Sequence, residues 1–283
     1  MWLVLRLVRA ERTGNRKSVQ SLHYIETGPA ASRAVVFLHG FLGTLDDWSE
    51  TSGCLGGAFR CIRVDLPGHG GSIGLRDPEE YTFRGACSAV CDLAEGLSLR
   101  DPILVGYSMG GRLALSLAVF SGFFRAAAIV SAPAGFRKDG EREARAVADL
   151  ALAGRIRSEP LPQFLRAWYG QPLFRELASQ PDLLEEVLHR RAGGDPLELA
   201  RAMEGMSVGV QPPCWDGLAG SGLPLLFAAG ERDSRYAQFA AEMAAAAPSG
   251  QLKIFSGCGH ALHLEQPRAF AACLGEFVNS LPG

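Results

Sequence analysis

The sequence predicts an α/β fold with a mostly parallel β-sheet and helices on both faces. Short apolar runs alternate with helical patterns along most of the 283 residues, an order that favours parallel strands joined by helices. The runs are apolar throughout rather than alternating, as expected for strands covered on both faces. In chain order, the predicted strands lie within residues 34–40, 61–70, 102–108, 126–133, 223–230 and 252–260.

A polar helical segment interrupts this rhythm at about residues 134–213. It shows no convincing strand, and its basic and acidic residues are nearly balanced in number. We interpret the segment as a helical cap inserted after the sixth strand. Residues 1–283 would then form a single domain, a length that such a domain commonly reaches.

The composition excludes several classes of protein. Hydrophobic residues make up 47% of the chain and charged residues 20%, which is typical of a globular protein. A net charge of −2 argues against a general nucleic-acid binder. No apolar stretch reaches the about 18 residues that a membrane span needs, so we expect no membrane insertion. The first residues, MWLVLRLVRAER, contain Arg6 and Arg9, which favour a first strand over a secretory signal.

The cysteines indicate a reducing compartment. There are seven of them, an odd number, and no two are spaced as C-x-x-C. We therefore expect buried free thiols rather than disulfides or a metal site, and a cytoplasmic location. The sequence does not specify an oligomeric state.

Two stretches fit the pattern G-x-S-x-G, namely GYSMG around Ser108 and GMSVG around Ser207. A nucleophilic serine of this pattern lies on a sharp turn between a strand and a helix. Ser108 follows the apolar run PILVGY and precedes the helical pattern GRLALSLAVF, whereas Ser207 follows a helical pattern. We therefore predict that Ser108 is the functional serine and that Ser207 lies at a helix end.

A serine hydroxyl becomes reactive only when a neighbouring base holds its proton. His260 follows the last predicted strand and Asp233 follows the strand before it, so both lie in loops at the carboxyl ends of strands. This order of serine, acid and histidine predicts His260 as the base and Asp233 as the group that orients it. Glu231 stays open as an alternative acid, and we expect His263 to be a structural or surface histidine.

The stretch LHGFLG, residues 38–43, is a strand that runs into a glycine turn. Together with the residue after the serine, such a turn supplies backbone N–H groups to an oxyanion hole. We predict Phe41 and Met109 as the two donors. They would suit a tetrahedral adduct and an enolate equally well.

Several longer motifs carry a family resemblance. LHGFLGTLDDW, VDLPGHGGS, LVGYSMGGRLAL and GHALHLEQP are similar to those of the α/β-hydrolase superfamily. The combination of GYSMGGR, FLRAWYGQPLF, SVGVQP and GERDSRYAQFAAEM resembles one family within it more closely, the 2-succinyl-6-hydroxy-2,4-cyclohexadiene-1-carboxylate synthases of menaquinone biosynthesis. The resemblance runs from about residue 34 to the C-terminus and includes the cap. It implies the α/β-hydrolase fold with a cap insertion.

The resemblance also implies an activity. Members of that family are lyases that eliminate pyruvate from 2-succinyl-5-enolpyruvyl-6-hydroxy-3-cyclohexene-1-carboxylate, without metal or cofactor. Ser108, tuned by His260 and Asp233, would remove a ring proton next to the succinyl ketone. The two backbone donors would then hold the enolate-like oxygen. A serine carboxylesterase or a carbon–carbon bond hydrolase with the same triad is the alternative.

A substrate with three carboxylates requires cations, and the arginine fork binds two carboxylate oxygens at once. Carried over by motif, the resemblance implies that the small anionic substrate is bound by Tyr107, Arg112, Arg145, Trp168 and Arg191. Arg142 and Arg190 are adjacent alternatives to the two arginines of the cap. GFRKDG, residues 135–140, matches the family only loosely.

Overall fold

A seven-stranded sheet runs through the part of the chain that the computed structural model describes, residues 22–282. The strands are β1 (Tyr24–Thr27), β2 (Ala34–Leu38), β3 (Arg60–Val64), β4 (Ile103–Tyr107), β5 (Ala126–Val130), β6 (Leu225–Gly230) and β7 (Gly250–Phe255). Their order across the sheet is β1-β3-β2-β4-β5-β6-β7. Only the β1–β3 pair is antiparallel within these residues, so the predicted α/β class with a mostly parallel sheet is confirmed.

Helices connect the strands and also fill the long interval between β5 and β6. Those outside this interval are α1 (Ser49–Cys54), α2 (Phe83–Gly96), α3 (Met109–Ser121), α10 (Ser234–Ala246), α11 (Leu262–Glu265) and α12 (Pro267–Ser280). Those within it are α4 (Asp139–Ser158), α5 (Leu161–Tyr169), α6 (Arg175–Ala178), α7 (Pro181–Arg191), α8 (Pro196–Gly205) and α9 (Trp215–Ala219). Short 3₁₀-helices lie at Leu45–Trp48, Pro78–Tyr81 and Pro172–Phe174.

The central strands are buried on both faces, as their unbroken apolar sequences predict. In β2, Val35 and Phe37 point to one side of the sheet and join a cluster that includes side chains of α12 and of the helices between β5 and β6. Val36 and Leu38 point to the other side and pack with side chains of α2, α3 and α10. Alternation along a strand sends successive side chains to opposite faces, so one apolar run serves both cores.

Two strands differ from expectation. β7 is an edge strand whose residues 251–254 are exposed. β1 is an exposed edge strand that the sequence did not predict, since its YIET carries no apolar run. Within residues 22–282 the helical segment follows the fifth strand. The first strand expected within residues 1–12 lies outside the described residues, so the expected position after a sixth strand stays a prediction.

The parallel arrangement gathers several loops at one edge of the sheet. The turns after β2, β4, β6 and β7 all leave the carboxyl ends of strands that run in the same direction. In a parallel sheet these ends form a crevice in which ligands bind. The helices between β5 and β6 supply the opposite wall of a cavity at this edge.

Candidate active site

Ser108 lies on the sharp turn between β4 and α3 that its sequence context predicts. Its backbone adopts φ 49° and ψ −106°, a conformation that is unfavourable for any residue with a side chain. The turn depends on close backbone approach at both flanking glycines. A Cβ on Gly106 would lie 2.3 Å from the carbonyl oxygen of Gly110, and one on Gly110 would lie 2.4 Å from that of Leu38. The two glycines of G-x-S-x-G therefore permit the turn that presents Ser108.

The structure brings Asp233 and His260 to the same place as Ser108. His260 Nδ1 lies 2.6 Å from Asp233 Oδ2, and His260 Nε2 lies 3.4 Å from Ser108 Oγ. Both side chains are buried, whereas Ser108 is only partly so. A hydrogen bond from Nδ1–H to the carboxylate leaves Nε2 free to accept the serine proton. The contact between Nε2 and Ser108 Oγ is long for a hydrogen bond, and catalytic bonds of this kind often tighten when substrate binds.

The alternative acid and histidine lie elsewhere. Glu231 accepts hydrogen bonds from the Gly257 backbone and the Ser256 hydroxyl, which lower its pKa, and it makes no contact with His260. His263 is fully buried, with ring centroids 4.5 Å from Trp48 and 4.1 Å from Tyr107. Burial lowers the pKa of His263 to about 3, so the ring is neutral at physiological pH.

Ser207, the second G-x-S-x-G serine, follows the end of α8 and is not on an elbow. Its Oγ donates to Asp149 Oδ2 at 2.6 Å and accepts from the Gly209 backbone N–H at 2.9 Å. Both partners are polar groups of the helical segment, and the described contacts of its hydroxyl include no histidine. The helix-end position expected from the sequence agrees with the structure.

The predicted backbone donors lie beside Ser108. Gly40, the residue before Phe41, is so close that an added Cβ would lie 3.6 Å from Ser108 Cβ. Met109 is the first residue of α3, where helical N–H groups have no partner within the helix. Among the described residues, neither the Phe41 nor the Met109 N–H has a protein acceptor. Both residues line the same cavity as Ser108 and His260.

That cavity has a volume of about 700 Å³ and lies between the sheet edge and the helical segment. Tyr107 packs against the His260 ring with a centroid distance of 5.3 Å. Trp168 of α5 meets Phe41 edge-on at 5.6 Å, and so closes the cavity from the other side. Both of these predicted binding residues line the cavity wall.

All three arginines implied by the motifs line the cavity. Arg112 donates to the Met206 carbonyl at 2.6 Å and lies 3.5 Å from Gln211 Oε1. Arg145 Nε is 2.8 Å from Asp149 Oδ1. Arg112 lies one helical turn after Ser108, so the elbow itself aims its side chain at the site.

The third arginine, Arg191, is buried with two partners. It donates to Asp47 Oδ2 at 2.7 Å and to the Tyr169 hydroxyl at 2.6 Å. Burial opposes its charge, but Asp47 and Tyr169 together outweigh burial and raise the pKa of Arg191.

The adjacent alternatives point away from the cavity. Arg142 pairs with Asp139, and Arg190 reaches the Asp46 carbonyl, at 3.2 and 3.3 Å. Neither contributes to the cavity wall. The structure thus selects Arg145 and Arg191 as the wall residues from each neighbouring pair.

Two cations in the wall were missed by sequence reasoning, Arg155 and Arg235. Arg155 could have been found from helical spacing, because it shares a face of α4 with Arg145, Asp149 and Leu152, which also line the cavity. Arg155 is paired with Glu159, whereas Arg235 faces the Phe239 ring. Asp149 is the only acidic side chain among the described residues of the wall, so arginines outnumber carboxylates there.

Residues 22–282 lack two further kinds of feature. No group of three or more His, Cys, Asp or Glu side chains there is arranged to hold a metal ion. No helix in that range has both the length and the apolar character needed to cross a membrane.

A family model described as the alpha/beta hydrolase family matches residues 35–273. The chain belongs to the alpha/beta hydrolase family. The 2-succinyl-6-hydroxy-2,4-cyclohexadiene-1-carboxylate synthase of Yersinia enterocolitica is 32% identical over 247 residues, which cover 87% of this chain and 86% of that protein. A Bacillus subtilis protein provisionally given the same name is 33% identical, covering 90% of this chain and 94% of its own. The structure of MenH from S. aureus superimposes with a TM-score of 0.85 at 26% identity, over 91% of this chain and 98% of that one.

In this alpha/beta hydrolase, the arrangement around Ser108 is suited to two kinds of chemistry. A serine whose proton is taken by a buried histidine can attack a carbonyl, or it can itself accept a proton from carbon. Two unpartnered N–H groups beside it would stabilise the oxyanion formed in either case. The triad is therefore compatible with both reactions. The cations of the cavity wall distinguish them, because they indicate which substrate can bind.

Proposed function

We propose that this chain is a pyruvate-eliminating lyase. It would convert 2-succinyl-5-enolpyruvyl-6-hydroxy-3-cyclohexene-1-carboxylate into 2-succinyl-6-hydroxy-2,4-cyclohexadiene-1-carboxylate, a step of menaquinone biosynthesis. The names of relatives in Yersinia enterocolitica and Escherichia coli support this product. The cationic cavity wall supports an anionic substrate independently of those names.

A buried arginine without a carboxylate partner is the observation that carries the proposal. Arg112 is 5% exposed, and no carboxylate oxygen of residues 22–282 makes an ion pair with its guanidinium. Burial lowers the pKa of Arg112 to about 10, in keeping with a guanidinium that no carboxylate pairs with. A buried charge is unfavourable unless it is paired. A substrate carboxylate placed next to Ser108 would complete that pair.

The proposed reaction uses the triad for proton transfer. His260 draws the proton from Ser108 Oγ, and Ser108 then removes the ring proton next to the succinyl ketone. The electrons move towards the ketone oxygen, where the Phe41 and Met109 N–H groups would donate hydrogen bonds. Their return expels the enolpyruvyl group through cleavage of its bond to the ring. The released enolpyruvate takes up the proton that His260 holds and becomes pyruvate, so the triad returns to its starting state and no water is consumed.

The remaining cavity residues would hold the three carboxylates. Arg112, Arg145 and Arg191 are the proposed carboxylate partners, and each guanidinium presents donors in a fork that matches two oxygens. Tyr107 and Trp168 would enclose the ring of the substrate between flat apolar surfaces. Such positioning places the acidic ring proton against Ser108.

We infer that residues 134–213 act as a cap within a single domain. Arg145, Trp168 and Arg191 come from this segment, whereas Ser108, Asp233 and His260 come from loops of the sheet. The substrate would therefore be enclosed between the two parts. We also propose a cytoplasmic location, because all seven cysteines are free thiols. Cys54 is exposed and Cys273 is half-buried, so these two differ from the expectation of buried thiols.

The test uses the purified protein and two substrates. With the enolpyruvyl compound, we expect pyruvate and the cyclohexadiene product to form in equal amounts. A serine carboxylesterase would instead turn over p-nitrophenyl esters rapidly and show an acyl adduct on Ser108 by mass spectrometry. That pattern, together with no pyruvate from folded protein, would replace the proposal with the alternative. The arginines weigh against it, because simple ester pockets are mainly apolar.

A further inference from the structure

The second G-x-S-x-G stretch belongs to a segment, residues 205–211, that contacts the cavity arginine Arg112 directly and reaches a second one, Arg145, through Asp149. We propose that this 205–211 segment sets the direction of Arg112 and Arg145, and that Ser207 and Asp149 are positioning residues for Arg145. The proposal rests on the function proposed above, since it concerns how that site holds carboxylates.

The first part of this arrangement is a chain of hydrogen bonds from Ser207 through the buried Asp149 to Arg145. Ser207 Oγ donates to Asp149 Oδ2 at 2.6 Å, and Arg145 Nε donates to Asp149 Oδ1 at 2.8 Å. The Asp149 side chain is 4% exposed, so both of its oxygens are engaged away from water. Arg145 uses Nε for this bond, which leaves its two terminal nitrogens for a ligand.

The second part of this arrangement holds Arg112. The Met206 carbonyl, next to Ser207, accepts from Arg112 Nη2 at 2.6 Å. Gln211 is fully buried. Its Oε1 lies 3.5 Å from Arg112 Nη1, and its Nε2 lies 3.5 Å from the Pro133 carbonyl oxygen. These acceptors are neutral, so they orient Arg112 without cancelling the charge that would attract a carboxylate.

The glycines of GMSVG explain why this segment can approach both partners. A Cβ on Gly209 would lie 2.4 Å from the backbone nitrogen of Ala146, the residue after Arg145. A Cβ on Gly205 would lie 2.2 Å from the carbonyl oxygen of Tyr81. Both contacts are with backbone, so a side chain at either position would push the segment away from α4 or from the core. The second motif therefore serves close packing rather than a nucleophile elbow.

Two possible roles of Asp149 predict opposite changes in KM when its charge is removed. It is a carboxylate in the wall of an anion site, so its charge alone should weaken substrate binding. If it acts only through charge, Asp149→Asn should lower KM. If it positions Arg145, the same change should raise KM, because the guanidinium loses the bond that directs it. The sign of the change in KM thus separates the two roles.

The experiment measures pyruvate release from the enolpyruvyl substrate by Asp149→Asn, Asp149→Ala and Ser207→Ala. We expect KM to rise about 10-fold in Asp149→Ala, less in Asp149→Asn, which keeps an acceptor, and kcat to change less than KM. In a double-mutant cycle, Asp149→Ala added to Arg145→Gln should have little further effect, because its target is already gone. Glu204→Gln is the control. Glu204 pairs with Arg157 at 2.7 Å and so also ties α8 to α4, but outside the cavity.

Calorimetric titration of the same compound into each variant in a Ser108→Ala background gives Kd without turnover. A Kd that rises with the loss of Asp149, and no longer does so once Arg145 is replaced, supports the proposal. A lower KM in Asp149→Asn, additive effects of the two sites, or a lower melting temperature with unchanged KM and Kd would overturn it. Wild-type protein that binds the compound but releases no pyruvate refutes only the proposed reaction. If the wild type does neither, both proposals fail.

Discussion

Replacement of Arg112 by methionine should separate stability from substrate binding. Arg112 and Arg191 both line the cavity and are 5% exposed, but only Arg191 is paired with a carboxylate, that of Asp47, among the described residues. Arg112→Met and Arg191→Met therefore remove the same charge and a similar volume from electrostatically opposite sites. We expect Arg191→Met to lower the free energy of unfolding far more than Arg112→Met does.

The magnitude for Arg112 follows from its pKa. A fall from 12.5 to about 10 corresponds to about 3 kcal/mol against the charged side chain in the folded state. Methionine removes this penalty, but it also removes the bond from the charged guanidinium to Met206 O, which stabilises by about 2 kcal/mol, and the 3.5 Å contact to Gln211 Oε1, which stabilises by about 1 kcal/mol at most. These contributions nearly cancel, so we expect the free energy of unfolding to stay within about 1 kcal/mol of that of the wild type.

Arg191→Met is the matched comparison. It leaves the Asp47 carboxylate, whose side chain is 1% exposed, without its guanidinium partner. Breaking a buried ion pair in this way destabilises by about 3–5 kcal/mol. Both variants should raise KM by about 10-fold or more, because each removes a charged donor to a substrate carboxylate.

Urea denaturation at pH 7 and steady-state pyruvate release measure the two quantities on the same preparations. The reasoning would be refuted if Arg112→Met lost as much stability as Arg191→Met, since Arg112 would then be a structural cation. An unchanged KM in Arg112→Met would equally remove it from the binding site.

Two further substitutions test the elbow and the buried histidine. Gly110→Ala should reduce pyruvate release and destabilise by at least about 1–3 kcal/mol in thermal denaturation, because its Cβ would lie 2.4–2.5 Å from the Leu38 and His39 carbonyl oxygens. Gly154→Ala is the control, because a Cβ at this position in α4 meets nothing within 4 Å. Alanine there should stabilise the protein by up to about 1 kcal/mol. Equal losses of stability at the two glycines would contradict the role of Gly110 in the elbow. The pKa of His263 is lowered from 6.5 to about 3 in the folded protein. The unfolded chain therefore binds a proton at this residue below pH 6.5, whereas the folded protein binds it only below about pH 3. Stability falls as pH falls through that window. Between pH 8 and pH 5, the free energy of unfolding of His263→Phe should therefore fall by about 2 kcal/mol less than that of the wild type in urea titrations. An identical pH dependence in the two proteins would show that the ring is not held neutral.

Local sequence signals predicted the positions of the triad residues well. Ser108, Asp233 and His260 each follow a recognisable apolar strand, and parallel strands bring their carboxyl ends to one edge of a sheet. Position along the chain therefore translates into position in space. The catalytic roles of these residues stay predictions until they are measured.

Contacts between distant elements could not be predicted in the same way. Asp47 and Arg191 are separated by 144 residues, and nothing in either local pattern indicates that they pair. The same holds for Ser207 and Asp149, which meet only because glycines let the 205–211 segment approach α4. The exposure of β7 also escaped prediction, because an apolar run does not reveal whether its strand lies at the edge of the sheet.

The central claim is that Ser108 drives elimination of pyruvate from an anionic enolpyruvyl substrate. A coupled assay of pyruvate release, with wild type beside Ser108→Ala, tests it most directly. We expect the wild type to release pyruvate, and the folded Ser108→Ala variant to do so at a rate reduced by a factor of about 1000 or more. Folded wild type that releases no pyruvate, or a Ser108→Ala variant that keeps the wild-type rate, would contradict it.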